Sequence, residues 1–405
     1  MAANGNALRP QHVDGELHGR DGKHHWPASD YTSHPADSTE RTEMTAAPAS
    51  FVYVSNAADG DIGVYRLLPD GTLQPGTRVK AADAVGPLAA SPDRRFLYAA
   101  VRSKPFSVHV YAIDAQTGAL TRLSVSPMAE SFPYISLDRT GRYLLGASYH
   151  ANLISINAVG ADGRVAAEPL QVIPVGRNAH SIRTDESNRY AYVPTLGSDQ
   201  IFQFAFDATS GRLSSNTPAV AQMAPGTGPR HFVTSADNRY VYVLSELLAS
   251  VTTFALDANT GLLTEIGSAS GLPPDTKLMP GAPRVAAGAA GAESQRNRDK
   301  DIWAADIHLT PDGKFLYISE RTSSTLAAFS VNAGTGKLTY LGSTPTEAQP
   351  RGFAIAPNGR FLVACGEKSD TISAYAIDEA SGALSLLGQF PGGKGANWVE
   401  IVSFG

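Results

Sequence analysis

Cysteine is nearly absent from this 405-residue sequence: Cys365 is the only one, so no disulfide can form within the chain. This fits a reducing compartment. No run approaches the 18 or so apolar residues of a membrane-spanning helix, and no stretch has the apolar centre of a secretory signal. The net charge is only −5 and basic runs are missing, which disfavours a nucleic-acid partner. We therefore expect a cytoplasmic protein that binds neither nucleic acid nor membrane.

The first fifty residues lack apolar periodicity. Residues 1–50 are polar and contain five of the ten histidines. We predict a disordered tail, because such a composition cannot bury enough apolar surface to offset the entropy of ordering. The histidine spacing matches no standard ligand set, so no metal site is predicted there. Met44, just before the patterned region, is a candidate start codon.

The remaining sequence contains one motif seven times. An apolar strand precedes a short polar turn, and a basic and an aromatic residue then open a second strand, as in 91–98 (SPDRRFLY) and 310–317 (TPDGKFLY). The opening aromatics are, in chain order, Phe51, Phe96, Tyr143, Tyr190, Tyr240, Phe315 and Phe361. Their spacing is 45 to 50 residues except for one interval of 75, which contains the Gly/Ala/Pro-rich segment 268–300. We interpret that segment as an inserted loop in a regular array.

A second motif lies near the end of most repeats. Asp or Asn opens a turn, glycine follows four residues later, and alternating strands flank the turn, which predicts antiparallel hairpins. Each repeat thus holds about four short strands, as in a propeller blade. The first repeat lacks its inner strand, while residues 397–404 form a strand without a following partner. Pairing these two ends predicts an all-β, seven-bladed β-propeller over 51–405, closed by the N- and C-terminal strands.

The repeat also locates candidate functional residues. Ten residues before the opening aromatic, where the inner strand begins, stand Gly86, Pro133, His180, Arg230, Ala305 and Arg351. Six residues after it, where the second strand ends, stand Arg102, Tyr149, Glu246, Arg321 and Glu367. Antiparallel pairing brings both positions to one end of each blade, so we predict that they meet at one mouth of the central channel. His231, Asp306 and Lys368 are immediate neighbours of these positions.

The residue types at this mouth indicate an anionic ligand. Several arginines around one pocket suit phosphate or carboxylate, which guanidinium groups bind in a bidentate manner. A histidine and a glutamate nearby are candidate general bases. His231 is also compatible with a structural, hydrogen-bonded histidine, and Cys365 with a small buried apolar residue.

Five segments of this region resemble the bacterial propeller-type 6-phosphogluconolactonases: 228–231 (GPRH), 245–247 (SEL), 302–313 (IWAADIHLTPDG), 321–322 (RT) and 345–353 (PTEAQPRGF). The resemblance covers about Phe51 to Phe404 apart from the insertion, and includes the carboxy-muconate lactonizing enzyme, which shares the fold. It implies hydrolysis of 6-phospho-D-glucono-1,5-lactone in the pentose phosphate pathway. We expect no cofactor and no metal, because His231 and His308 form no recognisable ligand set with carboxylates in the sequence. The resemblance further implies that the catalytic residues are His180, Arg230, Glu246 and Arg351. We expect the substrate to contact Arg321, His231, Tyr149, Asp306 and Lys368.

Two alternatives stay open. Arginine suits carboxylate as well as phosphate, so the chain could hydrolyse or isomerise another anionic lactone, such as a carboxy-muconolactone. A non-enzymatic propeller that binds a protein partner is the other alternative, although exposed apolar anchors would then be expected in place of a charged mouth. Two departures from the family pattern, the insertion before Trp303 and a histidine at His150, bear on the identity of the substrate. The sequence leaves open whether His180 or Glu246 is the base, and it gives no oligomeric state.

Overall fold

In the computed structural model, which describes residues 49–284 and 297–404, 28 β-strands form seven four-stranded antiparallel sheets. Each sheet is one blade of a ring, so the predicted seven-bladed β-propeller is confirmed. The predicted tail, 1–50, lies outside the described residues except for Ala49 and Ser50, which begin the first strand. None of the described segments forms an apolar helix long enough to cross a bilayer.

The strands follow the repeat along the chain. The first blade contains β1 (Ala49–Asn56), β2 (Asp61–Leu67), β3 (Leu73–Lys80) and the final strand β28 (Ala396–Phe404). The second and third contain β4 (Val85–Ala90), β5 (Phe96–Val101), β6 (Ser107–Ile113), β7 (Leu120–Pro127), β8 (Tyr134–Leu137), β9 (Tyr143–Ser148), β10 (Leu153–Ala158) and β11 (Gln171–Pro174). The fourth contains β12 (Arg183–Thr184), β13 (Tyr190–Thr195), β14 (Gln200–Asp207) and β15 (Arg212–Gln222), with a 3₁₀ turn at Leu196–Ser198.

The last three blades repeat this arrangement. The fifth contains β16 (Pro229–Thr234), β17 (Tyr240–Ser245), β18 (Ser250–Leu256) and β19 (Leu263–Ser270). The sixth contains β20 (Ala304–Leu309), β21 (Phe315–Glu320), β22 (Thr325–Val331) and β23 (Leu338–Pro345), and the seventh β24 (Pro350–Ile355), β25 (Phe361–Gly366), β26 (Thr371–Ile377) and β27 (Leu384–Pro391).

The two ends of the propeller meet in one blade. Strand β28 pairs antiparallel with β1 from Ala49 opposite Phe404 to Asn56 opposite Ala396. The first blade therefore gains its inner strand from the end of the chain, as the sequence predicts. This closure leaves no blade of the ring without its inner strand.

Residues of the two sequence motifs contact each other between neighbouring blades. Each opening aromatic packs on the turn glycine of the next blade's outer hairpin, from Phe51 on Gly118 in the second blade to Phe361 on Gly71 across the closure. A Cβ on Gly118 would lie 2.3 Å from the Phe51 ring, and its φ of +71° disfavours other residues as well. The Tyr53 hydroxyl also donates to the Gly118 carbonyl at 3.0 Å. The repeat thus encodes the joints between the blades.

A layer of buried side chains divides the central channel. Tyr134, His231, Asp306 and Trp398, each from the inner strand of a different blade, are all less than 10% exposed. We call these four residues the plug. The Tyr134 ring lies 4.8 Å from the His231 ring and 5.5 Å from the Trp398 ring, centroid to centroid. The cavities on the two sides of the plug share no lining residue, so the channel has two separate mouths.

The connection between β19 and β20 reaches toward one of these mouths. Residues 268–270 of the predicted insertion complete β19, and 271–284 and 297–303 are the described parts of the connection. Met279 forms a parallel bridge with Asp301, and the Gly281 amide donates to the Leu247 carbonyl at 2.9 Å. These contacts fix its described residues near the end of the fifth blade's second strand.

Candidate active site

One mouth of the channel opens into a cavity of about 160 Å³. The four predicted catalytic residues, His180, Arg230, Glu246 and Arg351, all line it. The other lining residues are Arg102, Pro133, Tyr149, His150, Arg284, Trp303 and Arg321. The structure therefore brings together residues from distant parts of the sequence, and we call this the arginine mouth. Their chemical roles stay predictions.

Bulges at the start of the inner strands help to aim these side chains. In β16, β20 and β24 the pairing register shifts just after the first residue of the strand. A bulge inserts an extra residue and re-aims the side chains beside it. Arg230 and Arg351 therefore line the mouth, while the residue after Arg230, His231, lies in the plug.

Glu246 is held between two buried guanidinium groups. Its Oε2 atom accepts from Arg230 Nε at 2.8 Å and lies 3.2 Å from Arg321 Nη2. The Arg321 group also donates to the carbonyls of Trp303 at 3.0 Å and Ala304 at 3.1 Å. Arg230 Nη1 donates to the Ala305 carbonyl. The donors of Arg321 are thus largely engaged in holding Glu246 and the start of β20, although it was predicted to contact substrate.

His180 is a neutral base candidate. It is 5% exposed, and its Nδ1 atom is buried without a hydrogen-bond partner among the described residues. Burial, followed by the charges of Arg230 and its neighbours, holds the pKa of His180 well below its usual range. The imidazole is therefore unprotonated at neutral pH and keeps a lone pair available for a proton.

Two residues predicted to contact substrate lie behind the cavity. His231 and Asp306 belong to the plug and do not line the arginine mouth. His231 Nδ1 lies 2.9 Å from Asp306 Oδ1, and Arg230 Nη1 lies 3.1 Å from His231 Nε2. Burial, then the charge of Arg230, lowers the pKa of His231 to about 3, so its ring is neutral. The geometry favours support of Arg230 by this pair over direct contact with substrate.

Tyr149 connects the cavity wall to the insertion. Its hydroxyl donates to the Arg284 carbonyl at 3.2 Å and accepts from the Arg284 amide at 3.1 Å. The Arg284 and Arg321 guanidinium groups lie 3.9 and 3.6 Å from the centroid of the Trp303 ring. Arg284 and Trp303 were not among the predicted site residues. Arg284 lies in the insertion, which has no register from which to count, and Trp303 lies two residues before the counted position of its blade, Ala305.

Lys368 lies outside the arginine mouth. This exposed lysine lines a neighbouring cavity, which shares Arg284, Trp303 and Arg321 with the first. Its predicted contact with substrate therefore requires a ligand that extends past Trp303.

The opposite mouth is the larger one, with a cavity of about 410 Å³. Three ionisable residues from inner strands, Arg183, His308 and Glu400, line it together with Tyr134. His308 Nε2 lies 3.2 Å from Asp306 Oδ2, so the plug aspartate interacts with one imidazole on each side. Two guanidinium groups, those of Arg139 and Arg183, line this mouth, whereas five line the arginine mouth. An anionic substrate therefore fits the arginine mouth better.

Comparison with known proteins finds relatives in sequence and in fold. A family model described as "Lactonase, 7-bladed beta-propeller" matches residues 51–401. A 6-phosphogluconolactonase from Serratia proteamaculans is 38% identical over 352 residues, which cover 87% of this chain and 98% of the relative. Another, from Pectobacterium carotovorum, is 36% identical over 304 residues, covering 75% of this chain and 84% of the relative. The solved structure of a periplasmic gluconolactonase from Pseudomonas aeruginosa matches with a TM-score of 0.74 and 25% identity, over 89% of this chain and 99% of that one.

Proposed function

The chain belongs to the lactonase family of seven-bladed β-propellers, and from this premise we propose that it hydrolyses 6-phospho-D-glucono-1,5-lactone to 6-phosphogluconate. It is thus a carboxylic ester hydrolase, like the relatives named 6-phosphogluconolactonase. The observation that supports this most directly is a cavity that combines a neutral histidine with several guanidinium groups. A lactone is an ester, and its hydrolysis requires an activated water and a stabilised oxyanion.

We assign the base to His180. Water attacks the lactone carbonyl carbon while its proton passes to the His180 imidazole. Collapse of the tetrahedral intermediate breaks the bond to the ring oxygen, which takes that proton back from His180. Glu246 is the weaker candidate, because protonation would remove its charge-assisted contacts with Arg230 and Arg321. The low pKa of His180 arises partly from these cations, so an anionic substrate that neutralises them would raise its basicity.

Arg230 stabilises the oxyanion in this mechanism. Its Nε and Nη1 atoms are engaged by Glu246 and by the Ala305 carbonyl, which fixes the guanidinium plane. Nη2 has no partner among the described residues, and the side chain lines the cavity. Donors held in place by other groups stabilise developing charge without reorganisation. His231 and Asp306 support this orientation from the plug.

The activity is tested with the purified protein on freshly prepared 6-phosphogluconolactone, measuring the decay of the lactone against buffer. We expect rapid decay that EDTA leaves unchanged, and a fall in kcat/KM of about 10²-fold or more for His180→Ala. His109→Gln is the matched control, because His109 is a buried histidine of β6 that does not line the cavity. Decay no faster than in buffer would refute the proposal, and inactivation by EDTA would refute a metal-free reaction. Faster turnover of a carboxy-muconolactone would favour the alternative substrate class.

We further propose that the protein acts in the cytoplasm. A phosphorylated lactone is charged and does not cross a membrane unaided, so its hydrolase must share the compartment in which it forms. Cys365 is fully buried and unpaired, which is compatible with a reducing environment. Cell fractionation with a periplasmic and a cytoplasmic marker enzyme tests this, and recovery with the periplasmic marker would contradict it.

A further inference from the structure

We propose that Arg102 binds the phosphate group of the substrate and that Arg102 and Arg351 together form a phosphomonoester subsite in the arginine mouth. This inference rests on the proposed function, because it assumes that the lactone occupies this cavity. Arg102 would then determine the preference for a phosphorylated over an unphosphorylated sugar lactone.

The first argument is that Arg102 lacks a counter-charge. Its guanidinium group forms no hydrogen bond and no ion pair with any residue of 49–284 or 297–404, and its Nε atom is buried without a partner. Arg230 and Arg321 differ, since both contact Glu246. Arg284 also lacks a carboxylate partner among the described residues, but its guanidinium group lies over the Trp303 ring. Arg102 is only partly exposed, and a cation largely withdrawn from water without an ion-pair partner is costly. A ligand that supplies the anion accounts for an unpaired Arg102 in this cavity.

The second argument is that Arg351 lines the same cavity and makes only a long contact with its carboxylate partner. Among the described residues its side chain contacts Glu367 alone, with Nη1 3.4 Å from Oε1. That carboxylate also accepts from Gln349 Nε2 at 2.6 Å. Burial, followed by repulsion from Arg351, lowers the pKa of Arg102 to about 10, so Arg102 remains charged at pH 7. A phosphate dianion between them would relieve this repulsion and accept several charge-assisted hydrogen bonds.

The third argument is that the inner strand of the second blade leaves room for Arg102. At the position where other blades place His180, Arg230 or Arg351, this blade has Gly86. A Cβ on Gly86 would lie 3.1 Å from Cδ of Arg102, tighter than ordinary van der Waals contact. The missing side chain therefore lets the Arg102 stem lie over the start of β4. The second blade thus contributes its cation from the end of β5 in place of the inner strand.

Arg102→Met tests the subsite by comparing two substrates. We expect kcat/KM on 6-phosphogluconolactone to fall by about 10- to 100-fold, while kcat/KM on glucono-1,5-lactone changes less than about threefold. Arg102→Lys keeps the charge but not the planar fork, so it should recover part of the loss. Arg66→Met is the matched control, because it removes an exposed arginine of β2 far from the cavity. It should leave both values unchanged.

Equal losses on both substrates, or no loss on either, would overturn the subsite. If Arg102→Met fails to fold, Gly86→Ala provides the second variant, since it displaces the Arg102 stem without removing its charge. That variant should lower kcat/KM selectively for the phosphorylated lactone. If the wild type hydrolyses neither lactone, the proposed function fails first. Calorimetric titration with 6-phosphogluconate then decides about Arg102 alone: at least tenfold weaker binding by Arg102→Met supports the subsite, and unchanged binding overturns it.

Discussion

Replacing Glu246 by glutamine should destabilise the fold strongly as well as impair the active site. The side chains of Arg230, Glu246 and Arg321 are only 1%, 4% and 2% exposed, so the carboxylate neutralises two guanidinium groups that water barely reaches. Glutamine preserves the shape and one acceptor oxygen but removes the negative charge. Removing one partner of a buried ion pair typically costs about 3–5 kcal/mol. We expect a loss of that size in the free energy of unfolding.

Equilibrium unfolding in urea, followed by tryptophan fluorescence and checked for reversibility, measures this loss. Glu186→Gln is the matched control. Glu186 also pairs with an arginine, Arg139, but the two side chains are 30% and 36% exposed. Because water screens that pair, its loss should cost at most about 1 kcal/mol. A Glu246→Gln variant within about 1 kcal/mol of the wild type would refute the reasoning, since the two arginines would then not depend on Glu246 for their charge balance.

Two further predictions concern the joints between blades and the opposite mouth. Gly118→Ala should lower the free energy of unfolding in urea by at least about 2 kcal/mol more than Gly313→Ala. Both glycines have φ near +70°, but only Gly118 contacts a ring, that of Phe51. Equal losses for the two variants would contradict this. Burial raises the pKa of Glu400 to about 7, against the lowering influence of His308 and Arg183. The folded state then binds more protons than the unfolded state between about pH 4.5 and pH 7, and stability falls as pH rises through this window. Glu400→Gln should therefore be more stable than the wild type by roughly 2–3 kcal/mol at pH 8, with no difference at pH 4; a gap independent of pH would contradict the assignment.

The fold could be predicted because its joints repeat in the sequence. Each opening aromatic packs on the turn glycine of the next blade. The repeat therefore predicts how neighbouring blades pack as well as how many strands each blade contains. The closure followed from a missing inner strand at one end and a surplus strand at the other. Counting back from an opening aromatic could not identify Asn397, because β28 is the last strand and no opening aromatic follows it. In the first blade Asn397 takes the inner-strand position that was counted in the other blades. Its side chain accepts from Ser55 and donates to the Val85 carbonyl, joining two blades.

The positions of the candidate site residues were predictable, but their partners were not. Counting brought Arg102, Arg230 and Arg321 to one mouth without indicating which of them has a counter-charge. That distinction depends on the fold, which places Glu246 beside two of them and leaves the third unpaired. The bulges had a similar effect, since they separate neighbours such as Arg230 and His231 into the mouth and the plug. The sequence does not show where the extra residue of such a bulge lies.

The plug of Tyr134, His231, Asp306 and Trp398 separates the arginine mouth from the opposite mouth of the channel. Substrate and product of a reaction at the arginine mouth then use the same side of the propeller, so a product that stays bound delays the next substrate. The product of the proposed reaction keeps its phosphate and gains a carboxylate, and both are anions that the surrounding guanidinium groups attract. At high concentration this product would then compete with the substrate for the arginine mouth.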